Sequence, residues 1–119
     1  YPPPYLMKAP TLGKHWILDA YNCDKATIKD ARIFRKLLTD LPIAMNMNPV
    51  SEPQIHVSET TIAALVLIAE SHISLHASLS KQYLHADVFS CAAFDSQIAL
   101  NMLKSSFAFD QYTEEQFDR

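Results

Sequence analysis

The residues of this chain that are best suited to chemistry lie in one short segment and in a cysteine beyond it. The segment runs from Glu70 to His76 (ESHISLH), and Cys91 follows fifteen residues after His76. It contains a carboxylate, two hydroxyls and two imidazoles, and it follows directly on the apolar run 63–69 (AALVLIA). A buried strand in that run would hold the polar side chains in a fixed geometry. The segment is therefore the first candidate for an active site.

The two histidines of the segment raise the question of a metal. His72 and His76 are four residues apart, a spacing that brings two imidazoles together on a helix. The local alternation of apolar and polar residues instead predicts a strand, on which positions four apart lie ~13 Å from each other. A zinc site that also used His85 and Cys91 would need a sharp fold of the chain, so we predict no metal. Taken alone, the residues leave open that these histidines are simply half-exposed on a sheet.

Composition limits the classes of function. A chain of 119 residues is expected to form one domain. The core of so small a domain is limited, so association into an oligomer would add to its stability. A net charge of −3 without a basic run predicts no nucleic-acid partner, and no apolar run approaches the ~18 residues of a membrane span. Gly13 is the single glycine, which excludes a glycine-rich phosphate loop. Cys23 and Cys91 form no disulfide framework, so we predict a cytoplasmic location and place Cys23 in the core.

The chain divides into a short arm and one domain. Residues 1–12 begin with YPPPY, which predicts an extended proline-rich arm, and residues 13–119 form the predicted domain. The first residue is Tyr1, which suggests that the true start of the protein is missing.

Periodicity within the domain predicts an alternation of strands and helices. We expect strands over 15–21, 45–50 and 56–69, a further strand from position 71, and another over 85–91. Asp24 is expected to cap a first helix that Pro42 ends, and Asp95 to cap a second. Without the short segment 45–50, the order β-α-β-β-β-α predicts an α+β fold: a two-layer α/β sandwich in which an antiparallel β-sheet has its helices packed on one face.

The full pattern of motifs resembles a known family. The ESH-x-S-x-H motif of residues 70–76, with Cys91 twenty positions after Ser71, is similar to the self-cleavage site of small prokaryotic S-adenosylmethionine decarboxylases. The stretches 13–23 (GKHWILDAYNC) and 83–91 (YLHADVFSC) also resemble that family's opening and later strands. The resemblance extends over residues 13–106.

The resemblance implies a pyruvoyl-dependent enzyme that cleaves itself between Glu70 and Ser71. The Ser71 hydroxyl would attack the Glu70 carbonyl, and elimination from the resulting ester would leave Ser71 as an N-terminal pyruvoyl group, the only cofactor implied. That group would form a Schiff base with the amine of the substrate. His76 matches the family's proton acceptor for processing, and Cys91 matches its proton donor in turnover.

The resemblance also implies a substrate and a partner. The substrate would be S-adenosylmethionine, decarboxylated for spermidine and polyamine biosynthesis, and the cleaved protomers would form a homodimer. Trp16 and Phe89 are the candidate substrate-binding residues, because their rings could contact a sulfonium cation.

Three positions depart from the family's pattern. Ala63 stands where a serine assists processing, Val57 where an aromatic ring stacks on adenine, and Ser80 where a glutamate holds the ribose. Three alternatives follow: decarboxylation of ornithine or arginine by the same chemistry, an unprocessed non-catalytic homologue that binds ligand or pairs with an active subunit, and an unrelated binding domain.

Overall fold

The structure, a computed structural model, describes residues 13–119. The predicted arm over residues 1–12 lies outside the described residues, so the division of the chain into arm and domain stays a prediction.

A six-stranded antiparallel sheet and two helices make up the described chain. Their bounds are β1 Lys14–Tyr21, a 3-10 turn Thr27–Lys29, α1 Ala31–Ala44, β2 Gln54–Val57, β3 Thr61–Ile68, β4 Ser71–Ser78, β5 Tyr83–Ser90, α2 Ser96–Phe107 and β6 Gln111–Asp118. The strands lie in the order β2-β3-β4-β5-β1-β6, and every neighbouring pair is antiparallel. The predicted α+β class and the antiparallel sheet are thus confirmed. Within residues 13–119 neither helix is long and apolar enough to cross a membrane.

The core lies between the helices and one face of the sheet. Successive side chains of a strand point to opposite faces, so alternate residues of each strand share the covered face. The buried residues that the sheet contributes are Trp16, Leu18, Ala20, Ile62, Ala64, Val66, Ile68, Ile73, Leu75, Ala77, Leu84, Ala86 and Val88. From the helices, Phe34 and Phe107 meet with ring centroids 5.1 Å apart. We call this side of the sheet the covered face.

The opposite side, which we call the open face, has no described helix over it. Its middle is polar: β1 contributes His15 and Asp19, β4 contributes His72, Ser74 and His76, and β5 contributes His85 and Asp87. The alternation of β4 and β5 thus places their apolar residues on the core and their ionisable residues together on the other side.

The first helix differs from its prediction at both ends. Asp30, and not Asp24, caps α1, because the Asp30 carboxylate accepts the Arg32 backbone N–H; Asp24 instead accepts from Thr27 at the preceding 3-10 turn. Pro42 lies inside α1, buried in the core, and the helix continues to Ala44. Pro42 cannot donate to the carbonyl four residues before it, so α1 loses one hydrogen bond in its last turn and ends two residues later.

The strand predictions need three corrections. Residues 45–50 form a turn and a coil with one isolated bridge, Pro49 to Ile68, so the predicted strand there is wrong. The long strand predicted over 56–69 is two strands, because the Ser58 hydroxyl binds the Thr61 backbone N–H and turns the chain between β2 and β3. The edge strand β6 was not predicted. Asp95 does cap α2, as expected, through the Gln97 backbone N–H.

Candidate active site

The candidate cleavage bond lies in the tight turn between β3 and β4. Ile68 pairs with Ser71, so only Ala69 and Glu70 form the turn. Asn48, from the connector after α1, holds both turn residues: its backbone N–H and its Nδ2 donate to Glu70 Oε1 at 2.8 and 3.2 Å, and its carbonyl accepts the Ala69 N–H at 2.8 Å. These bonds fix the Glu70–Ser71 peptide relative to the sheet. No sequence signal pointed to Asn48.

The structure brings Cys91 to this turn. Ser71 pairs with Ser90, so the residue after β5 lies beside the residue before β4. The Cys91 backbone N–H donates to the Glu70 carbonyl oxygen at 3.0 Å, and the Cys91 thiol is exposed. A donor on a carbonyl favours negative charge on its oxygen, which is the charge that nucleophilic attack on this carbonyl would develop.

Gly13 is the residue that lets the start of β1 pass close to Cys91. A Cβ at position 13 would lie 2.7 Å from the Ser90 carbonyl oxygen and 3.2 Å from the Cys91 Cα. Ser90 itself is fully buried, and its hydroxyl accepts the Ala92 backbone N–H. The single glycine of the chain therefore serves the packing of the candidate site.

A hydrogen-bonded chain leads from Ser71 across the open face. The Ser71 hydroxyl lies 3.2 Å from His72 Nδ1, and His72 Nε2 lies 3.3 Å from Asp87 Oδ2. Asp87 Oδ2 also lies 2.8 Å from His15 Nε2, and Asp87 Oδ1 accepts from the Ser74 hydroxyl. The alternation of β5 predicts Asp87 on the face of His85 and Phe89, but no pattern in the sequence predicts its contact with His72.

Asp87 is the charged centre of this chain of contacts. Its partial burial raises the pKa of its carboxyl, but hydrogen bonds from Ser74, His15 and His72 lower the pKa by more, so it falls below its ordinary value. The carboxylate is therefore ionised at neutral pH and holds its three donors in place. Arg119 extends the network, because its Nη1 lies 3.2 Å from His15 Nδ1.

His76, the predicted proton acceptor, lies far from the Ser71 of its own chain. The two are five residues apart on one strand, a separation of ~16 Å. The Ser71 hydroxyl reaches the open face, where it contacts His72, and His76 is exposed on that same face, so distance along the strand is what separates them. The ring of His76 instead lies 6.3 Å from that of His85, which hydrogen-bonds Asp19 at 2.6 Å.

The structure separates the two predicted substrate-binding rings. Trp16 is 1% exposed in the core, and its Nε1 donates to Glu114 at 3.4 Å. A ring packed on the covered face cannot reach a ligand without opening the core, so Trp16 is a core residue and not a binding residue. Phe89 lies on the open face between His15 and His72, with ring centroids 5.4 and 5.9 Å away. Its role in substrate binding stays a prediction.

Cys23 and the three positions that depart from the family's pattern lie apart from the Glu70–Ser71 bond. Burial raises the pKa of the Cys23 thiol to about 11, consistent with a core residue. Ala63 pairs with His76, Val57 is exposed on the edge strand β2, and Ser80 is exposed in the turn between β4 and β5. Among residues 13–119 no three metal-ligating side chains converge on a point that could hold an ion.

Comparison with known proteins places this geometry in a family. A sequence model of the family "S-adenosylmethionine decarboxylase" matches residues 14–119, nearly the whole described chain. The chain belongs to the S-adenosylmethionine decarboxylase family. It is 28% identical over 110 residues to an S-adenosylmethionine decarboxylase proenzyme of Acidithiobacillus ferrooxidans, covering 92% of this chain and 83% of that protein. With the proenzyme of Pyrococcus horikoshii it shares 33% identity over 68% of this chain and 58% of that protein.

The fold of this S-adenosylmethionine decarboxylase family member has a solved counterpart. The crystal structure of an adenosylmethionine decarboxylase from Aquifex aeolicus superposes with a TM-score of 0.80 at 24% sequence identity, over 93% of this chain and 92% of that one. The comparisons therefore confirm the predicted family and fold, and with the family the prediction of a carboxy-lyase.

Proposed function

We propose that this protein is a pyruvoyl-dependent S-adenosylmethionine decarboxylase of polyamine biosynthesis, and that it cleaves itself between Glu70 and Ser71. The observation that carries the proposal is the contact at the cleavage bond: the Cys91 backbone N–H donates at 3.0 Å to the carbonyl of Glu70, and Ser71, the next residue, pairs with the neighbour of Cys91, Ser90. The residue expected to donate a proton in turnover is thus adjacent to the residue expected to become the cofactor.

Each residue of the site has a distinct task in this proposal. The amide of Cys91 favours charge on the Glu70 carbonyl oxygen while the Ser71 hydroxyl attacks the carbonyl carbon. The ester that results can eliminate across the Ser71 Cα–Cβ bond once a base removes the α-proton, and His76 is the base that the family resemblance assigns. Elimination releases Glu70 as a carboxylate, and water then hydrolyses the dehydroalanine left at position 71 to the pyruvoyl group and ammonia. When formed, the pyruvoyl group supplies an electron sink for loss of the substrate carboxylate. The exposed Cys91 thiol then protonates the product carbon.

The position of His76 implies that a second copy of the chain completes the site. Because ~16 Å of strand separates His76 from its own Ser71, His76 can serve only the Ser71 of a partner. A two-fold axis near Ser74, at the middle of β4, would bring each Ser71 toward the opposite His76 when two open faces pack together. The proposed homodimer is therefore part of the chemistry.

The open face also has the composition of a surface that is covered in the assembly. Around its polar middle it exposes Leu65, Leu67 and Phe117, which are 37, 48 and 46% exposed. Burial of such apolar side chains against a second copy would stabilise the dimer by ~25 cal/mol per Å² of apolar surface.

Intact mass measurement of the purified protein tests the proposal. We expect two fragments, residues 1–70 and residues 71–119, with the second blocked by a pyruvoyl group in place of its amino terminus. Ser71→Ala is the matched control and should remain one chain. A wild-type chain that stays whole on prolonged incubation would contradict self-cleavage and would favour the non-catalytic homologue that binds ligand or pairs with an active subunit.

The substrate needs a separate measurement, because Val57 and Ser80 stand where the family carries its adenine and ribose contacts. Release of CO₂ should be measured from S-adenosylmethionine, ornithine and arginine in parallel. We expect S-adenosylmethionine to be preferred. A higher kcat/KM for either amino acid would retain the pyruvoyl chemistry and replace the substrate.

A further inference from the structure

The contacts of Ser71, His72 and Asp87 form a serine–histidine–aspartate series. The Ser71 hydroxyl meets one ring nitrogen of His72 at 3.2 Å, and the other ring nitrogen meets the Asp87 carboxylate at 3.3 Å. Among residues 13–119, His72 is the one side chain in hydrogen-bond contact with the Ser71 hydroxyl. The same three groups in the same order activate a serine nucleophile in hydrolases of unrelated folds.

Hydrogen-bond roles fix the proton positions along this series. The ionised Asp87 can only accept, so His72 carries its proton on Nε2 and presents the Nδ1 lone pair to the Ser71 hydroxyl. Arg119 can only donate, so it occupies Nδ1 of His15 and leaves the proton of that ring on Nε2, toward Asp87. Asp87 is thus held by His15 and Ser74 while it orients His72.

We propose that His72 is the general base that activates Ser71 for self-cleavage, and that Asp87 is the residue that positions it. This inference rests on the proposed function. His72 Nδ1 takes the proton from the Ser71 hydroxyl as the oxygen forms its bond to the Glu70 carbonyl carbon. The bond from that carbon to the Ser71 nitrogen then breaks, and the nitrogen takes the proton back from His72. The products are an ester and a free amine, with no proton or electron unaccounted for.

The two histidines thus act as bases in different steps of cleavage. His72 acts within its own chain on the hydroxyl, before the ester exists. His76 acts from the partner on the α-proton, after the ester has formed. The two steps can be separated experimentally, because hydroxylamine cuts an ester and leaves the original peptide intact.

The test follows cleavage of the full chain with and without hydroxylamine, by intact mass. His76→Gln should stop after the first step, so hydroxylamine should cut it at residue 70 and release residues 71–119 with an unmodified serine terminus. His72→Gln should be blocked at the first step, so ester formation should be slower by about 10²-fold or more and the chain should resist hydroxylamine. Lys36→Gln, which changes an exposed residue of α1 on the opposite side of the sheet, is the control and should cleave as the wild type does.

Two further variants separate a chemical role from a structural one. In His72→Ala, free imidazole should restore ester formation, because removal of the ring leaves a space of its own size beside the Ser71 hydroxyl. Asp87→Asn should slow ester formation in the wild-type background and have no further effect in His72→Gln, since Asp87 acts through His72.

Each outcome bears on one of the two proposals. An uncleaved wild-type chain that also resists hydroxylamine contradicts the proposed function. The role of His72 is overturned if the wild-type chain cleaves while His72→Gln forms ester at the wild-type rate. It is also overturned if the wild-type chain cleaves and imidazole does not rescue His72→Ala. In both cases the proposed function stands.

Discussion

The two faces of the sheet differ in what their side chains require of the rest of the molecule. The covered face is complete within one chain: its residues are buried against α1 and α2, and Phe34 packs on Phe107. The open face is incomplete. It holds an ionised carboxylate, five histidines and exposed apolar side chains, and its proposed base lies ~16 Å from the serine on which it must act.

This difference assigns stability to one face and chemistry to the other. Burial of apolar surface stabilises the domain whatever the exact order of the core residues. Processing, by contrast, needs particular polar groups at particular distances, and β4 carries both requirements on alternate positions. Changes on the two faces should therefore be separable in experiments.

Loss of His76 should have the greatest effect on cleavage, and it shows whether two chains share the site on the open face. His76→Gln alone should form pyruvoyl at least 10²-fold more slowly than the wild type. Co-expressed with Ser71→Ala, which lacks the nucleophile but keeps His76, the His76→Gln chain should be cleaved, because its Ser71 meets the partner's intact base. Tags of different mass on the two chains identify which is cut.

The double variant Ser71→Ala/His76→Gln is the control for that complementation. Co-expressed with His76→Gln it supplies no base and should leave both chains whole. If it supports cleavage equally well, or if Ser71→Ala supports none, His76 does not act across the interface.

The next effect separates the two functions of Cys91. Cys91→Ala keeps the backbone N–H that contacts the Glu70 carbonyl, so self-cleavage should continue. Turnover of the processed enzyme should fall about 10²-fold, because the proton donor is gone. Fragment masses and CO₂ release from the same preparation measure both quantities. Full activity of Cys91→Ala would show that another group donates the proton.

A matched pair of substitutions then compares the faces in stability. Phe34→Ala should lower the free energy of unfolding by about 3–5 kcal/mol, because a fully buried ring leaves a cavity. Phe89→Ala, on the open face, should cost less than half of that. Urea unfolding in the Ser71→Ala background keeps every sample as one chain. Equal losses for the two variants would contradict the division between the faces.

The covered face was largely predictable from the sequence. Alternation indicated which residues of β1, β4 and β5 enter the core, and the apolar run 63–69 marked the strand β3. That run is buried on one side only, because Leu65 and Leu67 are exposed on the open face. Errors came where local polar bonds decide the path: Ser58 turns the chain between β2 and β3, and Asp30 replaces Asp24 as the cap of α1. Such bonds depend on conformation that a periodic pattern does not encode.

The open face was predictable in its residues but not in its contacts. The family motif gave Ser71, His76 and Cys91, and register alone then placed Cys91 against Glu70 and His76 away from Ser71. Asp87, seventeen residues after Glu70, meets His72 only because β4 and β5 pair antiparallel. Pairing of strands is a long-range property, so neither the contact nor the need for a second chain could be inferred from spacing.

A smaller effect is expected on the free energy of unfolding, whose pH dependence reports the charge of Asp87 on the open face. The folded-state pKa of Asp87 lies below its unfolded value, so its contribution to stability is present above that unfolded value and is lost as pH falls through the folded pKa. In the Ser71→Ala background, Asp87→Asn should therefore be less stable than its parent at pH 6, and the difference should shrink as pH falls below about 4. Urea unfolding at a series of pH values measures it. Asp19→Asn is the control, since Asp19 contacts His85 and no member of the Ser71 series. A difference between Asp87→Asn and its parent that grows toward low pH would show that Asp87 is not held as a carboxylate by His15, His72 and Ser74.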